Sequence, residues 1–438
     1  MKRLLFLILL FPFFSFQLNF KKNQQEKLNT DAFIKVNGTQ FEINGKTYCY
    51  LGTNFWGAMN LGVDKLNQEK LLKELDQLES LGINNLRIMA LTEGPDSEPF
   101  RITPSNNQNT VLNENILKGL DFLLCEMKKR NMVAVICLSN FWPWSGGFIQ
   151  YLKWANAIDS FQYPMDESGS QDWDKYQHTT AKFYSDSASK KLYNKSIAQI
   201  INRKNTFSKI DYKNDPTIMS WELCNEPRGM KNVKDYLSWI HESAKYIKSL
   251  DSNHLVTVGS EGLNSYQEYN GTPFLKTHQS EYIDYTTAHL WPQNWNWYNP
   301  LKHDSTFPIA IKKTIDYLKE HIDLAAQLNK PFVLEEFGIG RDNGSFDINT
   351  STKIRDEFYS IVFKSIYEYA LIKKASGTNF WAWSGEGRPK QYGDWWKNGD
   401  DLTGDPPHEL QGWYSVYNSD TSTLQVIKKY TSLMKLVK

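Results

Sequence analysis

Eight short apolar runs, separated by stretches of helical spacing, constrain this chain more than any other feature of it. The runs lie at 48–52, 85–90, 133–138, 218–224, 255–258, 284–288, 332–335 and 378–383. Between the first two, segment 69–81 carries Leu71, Leu72, Leu75 and Leu78 at the three- and four-residue spacing of one helix face. Similar stretches follow at 115–129, 190–202, 233–250, 309–328, 351–370 and 423–436. Strand–helix alternation repeated this often predicts either a (β/α)8 TIM barrel or a doubly wound open sheet. The strand ends favour the barrel. Polar and aromatic residues recur there: Asn54 and Trp56, Asn140 and Trp142, Asn225 and Glu226, His289 and Trp291, Glu336, then Trp381 and Trp383. A barrel gathers the C-terminal ends of its strands around one mouth, so six scattered segments become one site. A β-hairpin (33–36 and 39–43, turning at Asn37-Gly38) precedes the first strand. Insertions at 141–187 and around Gly271 and Pro273 read as long βα loops.

The N-terminus reads as a targeting segment. Lys2 and Arg3 precede an apolar run from Leu4 to Phe16, short against the ~20 residues of a membrane span and interrupted by Pro12. We expect a signal segment over 1–28, no membrane attachment after its removal, and one catalytic domain over 29–438. The protein is then expected to be secreted, or exported to a cell-envelope compartment, and to act as a monomer. Lys+Arg 50 against Asp+Glu 49 argues against a nucleic-acid binder. Cys49, Cys125, Cys137 and Cys224 are too few for a disulfide scaffold and read as free thiols, with one bridge left open.

Two strand ends carry acids. Pro227 biases Glu226 toward extended backbone, so Glu226 is expected to end the fourth strand. Glu336 ends the seventh, before Gly338. These strands face each other across a barrel mouth, which permits the ~5–5.5 Å carboxyl separation of a retaining glycosidase. Strand alternation places Glu222 deeper on the face of Glu226 and turns Glu335 the other way, toward the helices; both are expected to be structural. Aromatic residues make up 14% of the chain, and many of the 15 Trp sit among polar residues, as platforms for sugar faces do.

Segment 214–227 (Asn-Asp-Pro-Thr-Ile-Met-Ser-Trp-Glu-Leu-Cys-Asn-Glu-Pro) resembles the strand-four signature of glycoside hydrolase family 5, and 333–338 (Val-Leu-Glu-Glu-Phe-Gly) resembles its strand-seven signature. The aromatic segments 140–147, 377–383 and 404–417 are similar to the endo-β-1,4-mannanase branch. This resemblance implies Glu226 as general acid/base and Glu336 as nucleophile. It implies Asn225 on the sugar 2-hydroxyl, Arg87 holding Glu336 ionised, and His289 beside both carboxylates. Asn140 takes a strand-three position where mannanases often have Asn. Trp381 or Trp383, two apart and so on one strand face, would floor the subsite of the reacting sugar, with Trp381 favoured. Trp142, Trp144, Trp291, Trp295 and Trp297 would line outer subsites. One departure stands out: Trp291 occupies the place of the family's usual strand-six tyrosine.

The expected activity is a secreted retaining endo-β-1,4-mannanase acting on mannan, galactomannan or glucomannan, with β-mannan polysaccharide or manno-oligosaccharides as its partner. No cofactor or metal is expected, since no metal, phosphate or dinucleotide motif is complete. A β-1,4-glucanase of the same family and a non-catalytic glycan-binding protein are the alternatives.

Overall fold

The computed structural model describes residues 32–94, 112–159, 172–407 and 409–438; the segment read as a signal lies outside them. The chain opens with three short antiparallel strands, β1 (Lys35–Asn37), β2 (Gln40–Ile43) and β3 (Lys46–Tyr48). The expected hairpin is thus a three-stranded meander. Its second turn, at Asn44-Gly45, has both residues at positive φ. The first apolar run is accordingly split, Tyr48 ending the meander and Tyr50 beginning the barrel.

Eight parallel strands follow: β4 (Tyr50–Asn54), β5 (Asn85–Met89), β6 (Val133–Cys137), β7 (Ile218–Glu222), β8 (Leu255–Thr257), β9 (Thr286–Leu290), β10 (Phe332–Phe337) and β11 (Gly377–Phe380). Their order is β8-β7-β6-β5-β4-β11-β10-β9, a near-closed TIM barrel in which β8 and β9 are the two end strands. Helices alternate with the strands outside. In the helix Lys65–Ser80 the apolar stripe turns Leu71, Leu75 and Leu78 inward, all buried.

The barrel interior is apolar at its base and charged toward its mouth. Tyr50, Val133, Val135, Met219, Leu255, Tyr285 and Val333 fill the base. Ile34, Phe41, Ile43 and Tyr48 pack onto that same cluster, so the N-terminal meander plugs the bottom of the barrel. At the mouth, β12 (Trp383–Gly385) and β13 (Val416–Tyr417) tie down the loop that follows β11. Cys49, Cys137 and Cys224 are buried free thiols and Cys125 is half-buried and free.

Candidate active site

Two irregularities in the strands set the site. β10 slips register against β9 between Leu334 and Glu336, which leaves Glu336 opposite His289. Val333 faces the barrel interior and Leu334 the helices, so plain alternation would turn Glu335 inward and Glu336 outward. The bulge brings Glu336 back inside, and both acids face the interior. This corrects the expectation that Glu335 points to the helix layer. Glu226 departs from expectation as well. β7 ends at Glu222, and Glu226 sits four residues on at φ 49°, a left-handed conformation that a residue before proline rarely adopts. Its N–H donates to the Gly259 carbonyl at 2.8 Å, which fixes the turn.

Arg87 on β5 organises the floor. It is 3% exposed and donates to five oxygens on four residues. Nε and Nη2 form a two-pronged pair with Glu222 at 2.7 and 2.5 Å. Nη1 donates to Asn54 Oδ1 at 3.0 Å and to Glu336 Oε1, and Nη2 donates to Asn225 Oδ1 at 2.8 Å. Asn225 in turn donates to Asn140 Oδ1 at 3.1 Å, and Asn140 donates to Ser145 Oγ at 2.8 Å. Glu222 thus has the partner its depth required, and Asn54 joins the sequence-derived residues in the site.

His289 stands between the two acids. Its Nδ1 lies 2.7 Å from Glu226 Oε1 and 3.3 Å from Glu336 Oε2. The Trp142 indole N–H donates to the other Glu226 oxygen at 2.6 Å. Arg228 lies over the Trp142 ring at 4.7 Å and pairs with Glu261 at 2.7 Å. Arg228 escaped the sequence reading, although its place two residues after Glu226 is a signal that could have found it.

One oxygen of each acid and a ring nitrogen of His289 fall within 4.8 Å of one another. That closeness suits two carboxyl groups acting on the same carbon; inverting pairs stand about 6.5–9.5 Å apart to admit a water. The imidazole nitrogen stands between the two acids, and Arg87 holds the far oxygen of Glu336.

Burial works against charge on His289, but the Glu336 charge and the hydrogen bond to Glu226 outweigh it and push the imidazole up to about 10. Burial likewise opposes charge on Glu226. The His289 contact, the Arg228 charge and the Trp142 N–H overcome it and bring that acid down to about 2. Glu336 goes the other way: burial raises it to about 7 against the pull of His289 and Arg87. In this state the proton shared by Glu226 and His289 rests on the imidazole.

The aromatic residues divide into two groups. Trp381 is 4% exposed and packs edge-on against Trp144 and Trp291, with ring centroids 6.1 Å away in each case. Trp56 flanks Trp144 and Tyr414 flanks Trp291. These rings form a wall beside the acids. Trp144, expected at an outer subsite, is a buried part of that wall. Trp142 is also closer than expected, in direct contact with Glu226.

Trp383 does not share a face with Trp381. The chain leaves β11 after Phe380, alternation lapses, and Trp383 packs into the core between barrel and helices, donating to Glu74 at 2.8 Å. Trp295 and Trp297 are likewise buried, against Tyr317 on the helix His303–Gln327.

A family model described as glycoside hydrolase family 5 beta-mannosidase-like matches residues 31–438. Mannan endo-1,4-beta-mannosidase 4 of Solanum lycopersicum is 30% identical over 370 residues, 82% of this chain and 85% of that protein. Mannan endo-1,4-beta-mannosidase 5 of Arabidopsis thaliana is 30% identical over 402 residues, 88% of this chain and 84% of that one. Among solved structures, the glycoside hydrolase family 5 mannosidase of Rhizomucor miehei superposes with TM-score 0.83 at 38% identity, covering 92% of this chain and 98% of its own. A mutant of that enzyme in complex with mannosyl-fructose gives TM-score 0.84. The endo-1,4-beta-mannanase of the same organism, at 22% identity and TM-score 0.69, shares the fold. With both glutamate motifs converging in one barrel mouth and the family match spanning the whole described chain, this protein belongs to glycoside hydrolase family 5, in its β-mannosidase-like group.

Proposed function

We propose that the protein cleaves β-1,4-mannosidic bonds with retention, as an exported endo-acting mannanase. The observation that carries this reading is the trio Glu226–His289–Glu336, two carboxyl groups close enough to act on one anomeric carbon. Glu336, aimed by Arg87, attacks that carbon. The proton on His289 passes along the 2.7 Å contact to Glu226 and on to the departing glycosidic oxygen. The resulting mannosyl ester uses up the Glu336 charge. Glu226, now ionised, takes a proton from water, which releases the sugar with its configuration retained. Asn225, held by Arg87 and Asn140, presents its amide to the 2-hydroxyl. The 30% identical mannan endo-1,4-beta-mannosidases support mannan as the substrate.

A second reading, release of single mannosyl units from chain ends, is favoured by two observations. The 38% identical relative is a mannosidase, and Trp144, Trp295 and Trp297 are packed away. Incubation with galactomannan, mannohexaose and carboxymethylcellulose separates these readings, with Glu336→Ala as control. The endo reading expects oligosaccharides of mixed length from both mannans. Mannose as the sole early product would replace it with the chain-end reading. Release from the cellulose derivative alone would move the substrate to glucan.

A further inference from the structure

Glu335 is a buried acid that the mechanism above does not use. It is 0% exposed, and neither carboxylate oxygen has a hydrogen-bond partner. Two cations stand just beyond hydrogen-bond reach: Arg87 Nε lies 3.8 Å from Oε1 and His289 Nε2 lies 3.8 Å from Oε2. Burying a carboxylate without hydrogen bonds is costly, so packing alone gives no account of a Glu here. The geometry does give one. His289 turns Nδ1 to Glu226 and Glu336 and its other nitrogen to Glu335, with no hydrogen bond on that second nitrogen. The ring is therefore enclosed by carboxylates on both edges.

We propose that Glu335 is a positioning residue whose charge, set behind His289, keeps that imidazole protonated and so keeps a proton on hand for Glu226. The inference rests on Glu226 serving as the acid of the reaction. The strand bulge is what makes the arrangement possible, because it lets two consecutive glutamates enter the barrel together, Glu336 in front of the ring and Glu335 behind it. Glu335 makes its contribution through charge across 3.8 Å, at a burial where such a charge is little screened.

The other groups facing the ring are accounted for. Glu226 follows β7, Glu336 lies on β10, Glu261 follows β8, and Arg87 reaches across from β5. Around Glu335 itself stand Glu222, Arg87 and the hydroxyls of Tyr50 and Tyr285. Burial and the Glu222 charge raise Glu335 to about 7, against the pull of Arg87 and His289. Its charge therefore develops near neutral pH, where the supply of protons to Glu226 begins to matter.

The test is the pH profile of kcat/KM on mannotetraose, whose poor leaving group needs the acid, for the wild type, Glu335→Gln and Glu335→Asp. Loss of the charge in Glu335→Gln should move the alkaline limb down by about one pH unit, from about 10 toward 9, so that a loss slight at pH 8 grows toward tenfold above about pH 10. Glu335→Asp, which keeps the charge but draws it back from the ring, should move the limb in the same direction by less. A limb that stays put in Glu335→Gln, or a loss uniform across pH, overturns the proposal. The same variants labelled with 15N-histidine report the His289 ring directly by NMR, and its titration should fall in Glu335→Gln. Should that variant fail to fold, a wild-type His289 found neutral at pH 7 overturns the proposal and an imidazolium still present at pH 8, lost earlier in Glu335→Asp, supports it. The NMR titration needs no substrate. A wild type that hydrolyses nothing would therefore sink the mannanase reading while leaving this one to be decided by the ring.

Discussion

Single residues decide the chemistry, and their neighbours decide which proton goes where. Glu336→Ala removes the carboxylate proposed to attack and should lower turnover of mannan by about 10⁴-fold or more while binding of the polysaccharide persists; a variant near wild-type rate would remove Glu336 from the mechanism. Glu226→Ala should cost unactivated substrates about 10²–10⁴-fold and spare the first step for aryl glycosides with good leaving groups. Equal losses on both would deny Glu226 the acid's role. These two residues were legible in the sequence as acids at strand ends, and Arg87, Asn225 and His289 through the family resemblance of the segments that hold the acids. Trp144 was legible only as an aromatic residue in a polar loop. Its burial between Trp56 and Trp381 changes what its removal should do. Trp144→Ala should lower unfolding free energy by about 3–5 kcal/mol and raise KM for short and long substrates alike. A penalty that grows with chain length, without loss of stability, would return Trp144 to an outer subsite.

At the scale of elements, bulges and tight turns place these side chains. The loop after β6 folds back on itself at Gly146 and Gly147, with φ of 89° and 71°. A Cβ on Gly146 would fall inside the Glu93 carbonyl, and one on Gly147 inside that of Asn140. Glu93, buried, accepts from Ser139 Oγ at 2.8 Å and from the Gly147 N–H at 3.0 Å, locking the same turn. Gly146→Ala should therefore destabilise the protein by about 1–3 kcal/mol and lower activity through misplacement of Trp142 and Trp144. Urea unfolding with a parallel rate measurement checks this, and an unchanged midpoint would mean the turn relaxes freely. The pair of glycines in a Trp-Ser-Gly-Gly string is visible in the sequence. What they avoid is not, since Glu93 lies more than fifty residues away along the chain. The bulge in β10 was hidden for a similar reason: a strand's period of two is intrinsic, while a slip of register depends on the partner strand.

For the molecule as a whole, the concentration of buried acids at the barrel mouth predicts how stability follows pH. Glu335 and Glu336 are raised from 4.5 to about 7 and His289 from 6.5 to about 10. A group raised in the folded state contributes stability that is full below its unfolded value and is lost as pH rises to the folded one. The two acids should therefore withdraw support between about pH 4.5 and 7, and His289 between 6.5 and 10. Buried His278 and His321, lowered to about 3 and about 4, offset this below pH 6.5, and Lys330, lowered to about 8, offsets it above pH 8. Tm measured by calorimetry at low salt should therefore fall between about pH 6.5 and 8; a Tm that climbs over that range would contradict the assignment of these protons. The barrel itself could be read from the chain, because eight alternations of period two and period 3.6 are local properties of neighbouring residues. So could the two glutamate motifs and the residue types at six strand ends. Tertiary structure alone decided which way consecutive side chains face after a bulge or past a strand end. It turned Glu336 inward beside Glu335, sent Trp383 to the core while Trp381 stayed at the mouth, and set His289 between the acids. Those outcomes depend on contacts between residues far apart in sequence, which local pattern does not encode.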